Sequence, residues 1–254
     1  MKLFALLLLL LAGAGARAAP TLALGDGESL VYHVSWIVVP GAGEIRVSAR
    51  SAAGAGGTPQ LRISTTTSTR GLARVLLPFE ARAESLFDPA TGLLLSQGES
   101  SETRSRHLAH TVVFDYAKRL ADYSSELPPL ATVALPMPAG EPTDLITCLM
   151  LARTWNLKPG QKHEALVLFE DDFYQLTVHA IGYEEIETPL GTFNALLLEP
   201  RMELTPPKGM FKRGSTVRVW VSQDAHKLPV RFQLHLGKFG SGIATLAQYH
   251  PPAR

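Results

Sequence analysis

From Leu30 to Leu236 the chain repeatedly alternates apolar and polar side chains with a period of two. Leu30, Tyr32, Val34, Trp36 and Val38 make one row, with His33 and Ser35 between them; Phe79, Ala81, Ala83, Ser85 and Phe87 oppose Glu80, Arg82 and Glu84. Val112, Phe114 and Tyr116 repeat the pattern, as do Tyr174, Leu176, Val178 and Ala180. Val217, Val219 and Val221 oppose Arg218 and Trp220, and Val230, Phe232, Leu234 and Leu236 oppose Arg231, Gln233 and His235. Successive side chains of a strand point to opposite faces, so each row reads as a half-buried strand. Roughly a dozen such segments with short turns such as Asp88-Pro89-Ala90-Thr91-Gly92 between them predict an antiparallel meander. The expected fold is all-β with one buried helix: a single meander forming a strongly curved sheet or partly open β-barrel around that helix.

Two stretches interrupt the alternation. Gly54-Ala55-Gly56-Gly57-Thr58-Pro59 reads as a flexible hairpin loop, and residues 127–142, with prolines at 128, 129, 136, 138 and 142, as an extended connector. The helix is expected over Thr143 to Asn156: Pro142 precedes it, Thr143 or Asp144 caps it, and Pro159-Gly160 ends it. Leu145, Ile146, Cys148, Leu149, Met150, Leu151, Ala152 and Trp155 make it apolar nearly all round, so it must be covered on most sides. At about 21 Å it is too short to span a bilayer. A shorter helical turn is expected around Gly71 to Leu77. Neither half of the chain has its own composition, so residues 19–254 are read as one domain.

The first eighteen residues read as a cleavable signal peptide. Lys2 gives the positive start, Leu3 to Ala12 the apolar stretch, and Ala16-Arg17-Ala18 an A-x-A-like cleavage site, with cleavage after Ala14-Gly15-Ala16 as the competitor. The mature chain would then carry 22 basic and 23 acidic residues, a balance that argues against nucleic acid as a partner. The lone Cys148 lies far from the leader, which excludes a lipid-modified N-terminal cysteine and an internal disulfide. The expected product is a periplasmic protein with no transmembrane segment in the mature chain.

Several short motifs add to this reading. Gly27-Glu28 followed by Tyr32-His33-Val34-Ser35-Trp36, Asp144-Leu145 opening the helix with Arg153 near its end, Thr188-Pro189-Leu190-Gly191-Thr192-Phe193, and Trp220-Val221-Ser222-Gln223-Asp224 with Leu228-Pro229-Val230 occur in that order. Together they resemble the bacterial exported domain-of-unknown-function 3108 family. The resemblance implies an exported, barrel-like β domain and brings no catalytic residues. The helix departs from the family pattern at Thr147-Cys148-Leu149-Met150.

Chemistry is sparse. The chain contains no G-x-S-x-G elbow, phosphate-binding loop, dinucleotide-binding glycine pattern or H-E-x-x-H. His107 and His110 would fall on opposite faces of a strand and are read as solvated, not as metal ligands. Ser222, Asp224 and His226 crowd into five residues, too close for a relay, and read as a turn. Glu184-Glu185-Ile186-Glu187 reads as a solvated hairpin end. Residues 161–200 carry a net charge of −7 and residues 201–254 a net of +7, read as opposite charges paired across neighbouring strands. No catalytic residue, metal ligand or cofactor is expected.

The candidate contact residues for a ligand or membrane are Met210, Phe211, Lys212 and Arg213, in a loop from Leu204 to Gly214 kept out of the ladder by Pro206, Pro207 and Gly209, together with Trp36 and Trp220. Phe211 has a second reading, as a side chain tucked into the barrel mouth. The function expected is a non-enzymatic binder of an amphiphilic or apolar, lipid-like envelope ligand. The alternatives are a structural or assembly factor that binds another envelope protein or polymer, which a filled barrel would favour, and a hydrolase of envelope glycans or lipids.

Overall fold

The computed structural model describes residues 22–36, 39–128, 130–237 and 240–253. The proposed signal peptide, residues 1–18, lies outside them, as do Val38 and Lys238.

Among the described residues fifteen strands form one sheet. They are β1 (Ser29–Trp36), β2 (Val39–Ala53), β3 (Pro59–Thr69), β4 (Phe79–Phe87), β5 (Leu94–Thr103), β6 (His107–Asp115), β7 (Leu120–Ser125), β8 (Thr132–Pro136), β9 (Thr143–Asp144), β10 (Lys162–Phe169), β11 (Asp172–Thr188), β12 (Gly191–Arg201), β13 (Ser215–Ser222), β14 (Pro229–Leu236) and β15 (Ser241–His250). Their order is β8-β7-β6-β5-β4-β3-β2-β1-β15-β14-β13-β12-β11-β10-β9. The class is therefore all-β, as the alternation predicts. Every pairing is antiparallel except the short parallel one that sets Thr143 and Asp144 of β9 beside Val167 and Leu168 of β10. Because β8 and β9 are the two edges, the large curved sheet is not closed.

Two helices accompany the sheet, α1 (Gly71–Leu76) at the tip of the β3–β4 hairpin and α2 (Leu145–Leu151) after β9. The first matches the expected turn. The second is shorter than the expected Thr143–Asn156. Thr143 and Asp144 are held extended by pairing with β10, and Ala152–Thr154 continue as a 3-10 turn. Asp144 is the cap, its Oδ1 accepting from the Thr147 amide at 2.8 Å. The proline-rich connector also differs from expectation, since its middle is strand β8. Thr132 to Pro136 is too short, and too exposed on both faces, to show an alternation.

The apolar rows meet in one large cluster that includes Leu30 and Tyr32 of β1, Val47 of β2, Ile63 of β3, Phe87 of β4, Leu94 of β5, Val112 of β6, Leu168 of β10, Val230 of β14 and Leu246 of β15. The inside of the curve is filled by the protein's own side chains. Met150 of α2 belongs to this cluster, Ala152 to a second with Val178, Leu196, Leu198, Val219 and Val221, and Cys148 to a third with Val167, Tyr174, Leu176 and Met202. Helix residues thus contribute to all three. Strand β13 is covered on both faces, with its valines in one cluster and Trp220 in another.

Alternating strand directions assign every turn to one of two ends. One end carries α1, the β5–β6 and β10–β11 turns, the described residues of the β7–β8 turn and the 202–214 loop. The other carries the 54–58 loop, the 88–93 turn, the 189–190 turn and the 223–228 turn.

Candidate functional site

Helix α2 is fixed at both ends. At its start the second carboxylate oxygen of buried Asp144 accepts a 2.8 Å hydrogen bond from the Ser85 hydroxyl of β4. At its end Arg153 donates to Glu28 at 2.6 Å and to the His226 carbonyl at 2.8 Å. Tyr32 lies between, its hydroxyl donating to the Pro229 carbonyl at 2.8 Å. The motif residues Glu28, Tyr32, Asp144, Arg153 and Pro229 therefore tie α2 and β1 to the rest of the sheet, a structural use that accounts for them without catalysis.

Beside α2 lies a cleft of about 290 Å³. β9 pairs with β10 only at Val167 and Leu168, and the preceding Ala139-Gly140-Glu141 segment runs beside Leu166 outside the ladder. Arg119 clamps the segment by donating to the Pro138 and Gly140 carbonyls. Cys148, Leu151, Trp155, Ala165 and Leu166 supply apolar walls, and exposed Leu204 stands at the mouth. The Trp155 indole stacks on His163, centroids 4.1 Å apart and planes 21° apart. Burial lowers the pKa of His163, which favours the neutral ring. Glu141, Glu164 and Gln175 make the polar side, and the buried Thr143 hydroxyl has no hydrogen-bond partner there. Among the described residues no Lys or Arg lines the cleft. Cys148 is enclosed and its thiol pKa is pushed up to about 12 by burial, so it is not a nucleophile.

A second polar cluster, missed in the sequence, lines the inner face of β4 to β6. Ser85 pairs with Gln97, and Glu99 with His110. His110 is buried, not solvated as expected. Its ring stacks on Tyr123 at 5.1 Å and its Nε2 lies 3.9 Å from Glu99 Oε2. Burial lowers the His110 pKa and raises that of Glu99, with Glu170 and Asp144 raising Glu99 further. Parity could have found this residue, since His110 shares a face with Val112 and Phe114. The Ser85 hydroxyl donates to the Asp144 carboxylate and not to an imidazole, so it forms no Ser–His pair. Among the described residues no group of three or more His, Cys, Asp or Glu is placed to hold a metal ion.

Met210 and Phe211 are half-buried in the 202–214 loop, and the Phe211 ring lies 6.2 Å from that of Tyr174. Lys208 sits 4.6 Å from the Tyr174 ring centroid and pairs with Asp172. Lys212 and Arg213 are exposed, with no carboxylate partner among the described residues. Trp36 is half-buried at the same end. Its ring covers Gly242, where a Cβ would come within 2.7 Å of it. Trp220 stands apart from these: it is 5% exposed, and its indole donates to Glu184 at 2.8 Å.

The remaining motifs are structural. Asp224 Oδ1 accepts from the Ser222 hydroxyl and from the His226 and Lys227 amides, closing the expected turn. Glu184, Glu185 and Glu187 are exposed at a hairpin end. Part of the charge asymmetry is paired locally, through Arg218 and Arg201 with Glu199, and Lys162 and His179 with Glu203.

An unclosed, barrel-like β-sheet with a filled interior defines the class. The chain belongs to the family described as a protein of unknown function, DUF3108, which matches residues 31–247. The fold is similar to the beta-barrel-like protein of domain of unknown function DUF1849 from Brucella abortus, with a TM-score of 0.54 and 7% identity over 89% of this chain and 98% of that one. A Bacteroides fragilis structure described as having a YmcC-like fold aligns with a TM-score of 0.36 and 12% identity, over 91% of this chain and 99% of that one. No curated protein matches the chain.

Proposed function

We propose that this is an exported, non-enzymatic envelope protein that holds an amphiphilic molecule in the cleft beside α2. The observation that carries the reading is the cleft's two-sided lining. Trp155, Leu151 and Leu166 suit an alkyl chain, while the carboxylates of Glu141 and of Glu164, which already accepts from the Thr177 hydroxyl, suit hydrogen-bond donors. With carboxylates and no cation in the lining, a head group bearing hydroxyls or an ammonium fits better than a phosphate. The filled interior moves the ligand from the inside of the curve, where small barrels hold theirs, to the edge. In this reading the sheet encloses α2 as a scaffold, residues 19–254 act as one domain, and no cofactor is needed.

A second reading, an assembly factor for an envelope protein, is favoured by the same open edge. Strand alternation turns the backbone groups of Lys162, Glu164 and Leu166 toward the cleft, where an extended peptide can add as a strand.

Native mass spectrometry of protein purified from the periplasm, with a monoacylglycerol added as probe, tests the first reading. The wild type should carry a non-covalent adduct that Ala139→Trp, which fills the cleft from its exposed rim, removes. Absence of any adduct on the wild type, or one unaffected by Ala139→Trp, overturns it.

A further inference from the structure

Helix α1 buries none of its residues. Leu72, Val75 and Leu76 fall at helical spacing on one side, and Leu77 follows. They are 67%, 67%, 62% and 74% exposed. Four large aliphatic side chains in one short segment are a contiguous apolar patch, which calls for an occupant in a way that a lone exposed leucine does not.

The charges beside the patch identify that occupant. Arg104 of the neighbouring β5–β6 turn donates to the Val75 carbonyl at 3.0 Å, which sets the turn Thr103–His107 against α1. Arg70 is held by the enclosed Glu44, Arg82 by Glu80, and His107 faces Glu102. Arg74, Arg104 and Arg106 have no carboxylate partner among the described residues. The tip therefore presents aliphatic side chains bordered by three guanidinium groups with no carboxylate at ion-pair distance, although Glu80 and Glu102 share a surface cleft with Arg74 and Arg104. On the same end of the sheet, Lys212 and Arg213 are also exposed without carboxylate partners, whereas Glu170, Asp171 and Asp172 make the β10–β11 turn acidic.

We propose that α1 is a membrane-docking foot that seats this end of the protein on an anionic lipid surface. Leu72, Val75, Leu76 and Leu77 enter the boundary between head groups and acyl chains, and Arg74, Arg104 and Arg106 lie among the head groups. The acidic β10–β11 turn tilts contact toward the α1 side. The docking does not depend on the α2 cleft being a ligand site. Tip and cleft are separate surfaces with no residue in common.

Flotation of the mature chain with phosphatidylcholine vesicles, with and without phosphatidylglycerol, tests the proposal. Binding should require phosphatidylglycerol, weaken in high salt, and fall at least about tenfold in Arg74→Gln/Arg104→Gln/Arg106→Gln and in Leu76→Ser/Leu77→Ser. All these side chains are exposed, so the melting temperature should hold. Leu190→Ser removes an exposed leucine at the opposite end of the sheet and should bind as the wild type does. A wild type that ignores anionic vesicles at low salt, or binding that survives both α1 variants, overturns the proposal, and capture of α1 by a protein with no vesicle binding does the same.

Discussion

The guanidinium of Arg153 lies 2.6 Å from the carboxylate of Glu28, joining the end of α2 to the start of β1 across 125 positions of sequence. Their side chains are 14% and 3% exposed. A charge so enclosed depends on its partner, because losing one leaves the other buried and uncompensated. Arg153→Met alone should lower the unfolding free energy by about 3–5 kcal/mol in urea titrations, and Glu28→Leu combined with Arg153→Met should recover most of that. A single Arg153→Met with wild-type stability would show that α2 is held by packing alone.

Packing by α2 is a separate expectation. Met150 is fully buried among Tyr32 and its neighbours, so Met150→Ala should cost about 2–5 kcal/mol, whereas Leu76→Ala on exposed α1 should stay within about 0.5 kcal/mol of the wild type. Equal losses at the two sites would contradict the placement of both helices.

Cys148 should be silent toward thiol reagents. Burial disfavours its thiolate, so Ellman's reagent at mildly alkaline pH should titrate no thiol in native protein and one after denaturation. Rapid labelling of the folded chain would mean that the cleft floor opens.

Acid sensitivity should map to His110. Burial holds its folded pKa below the ordinary 6.5, so the unfolded chain binds the proton more readily. The neutral ring's contribution is present above 6.5 and is lost as pH falls through that value toward the folded pKa. Glu99 acts in the opposite sense. Its folded pKa is raised above 4.5, so its contribution is full below 4.5 and declines as pH rises through the folded value. Melting curves of His110→Gln should therefore lose less stability than the wild type between pH 7 and pH 5. Parallel losses would place His110 in contact with solvent.

The sheet was legible because period-two alternation is a local consequence of strand geometry, and α2 because Pro142 and Pro159-Gly160 bracket an apolar run. Strand β8 was not, since Thr132–Pro136 lies on an edge between prolines and buries neither face. The true start of α2 depends on Thr143 pairing with Val167, a long-range contact that no local pattern encodes. Alternation puts Trp220 on the face of Arg218, opposite the valines, but β13 is covered on both sides. The loop at Met210 and Phe211 drew attention by composition. Exposure instead favours α1, whose leucines look in sequence like an ordinary apolar run. The cleft was invisible because it is made where β9 stops pairing with β10.

Ligand recognition is proposed for the edge cleft and not for the filled curve of the sheet. The most direct test is a nuclear magnetic resonance titration of the mature chain with a monoacylglycerol below its aggregation concentration. Shift changes should concentrate at Thr143, Leu151, Trp155, His163 and Leu166, and leave Leu30, Tyr32, Leu94 and Leu246 unmoved. Changes centred on Leu30, Tyr32, Leu94 and Leu246, with the cleft silent, would contradict it.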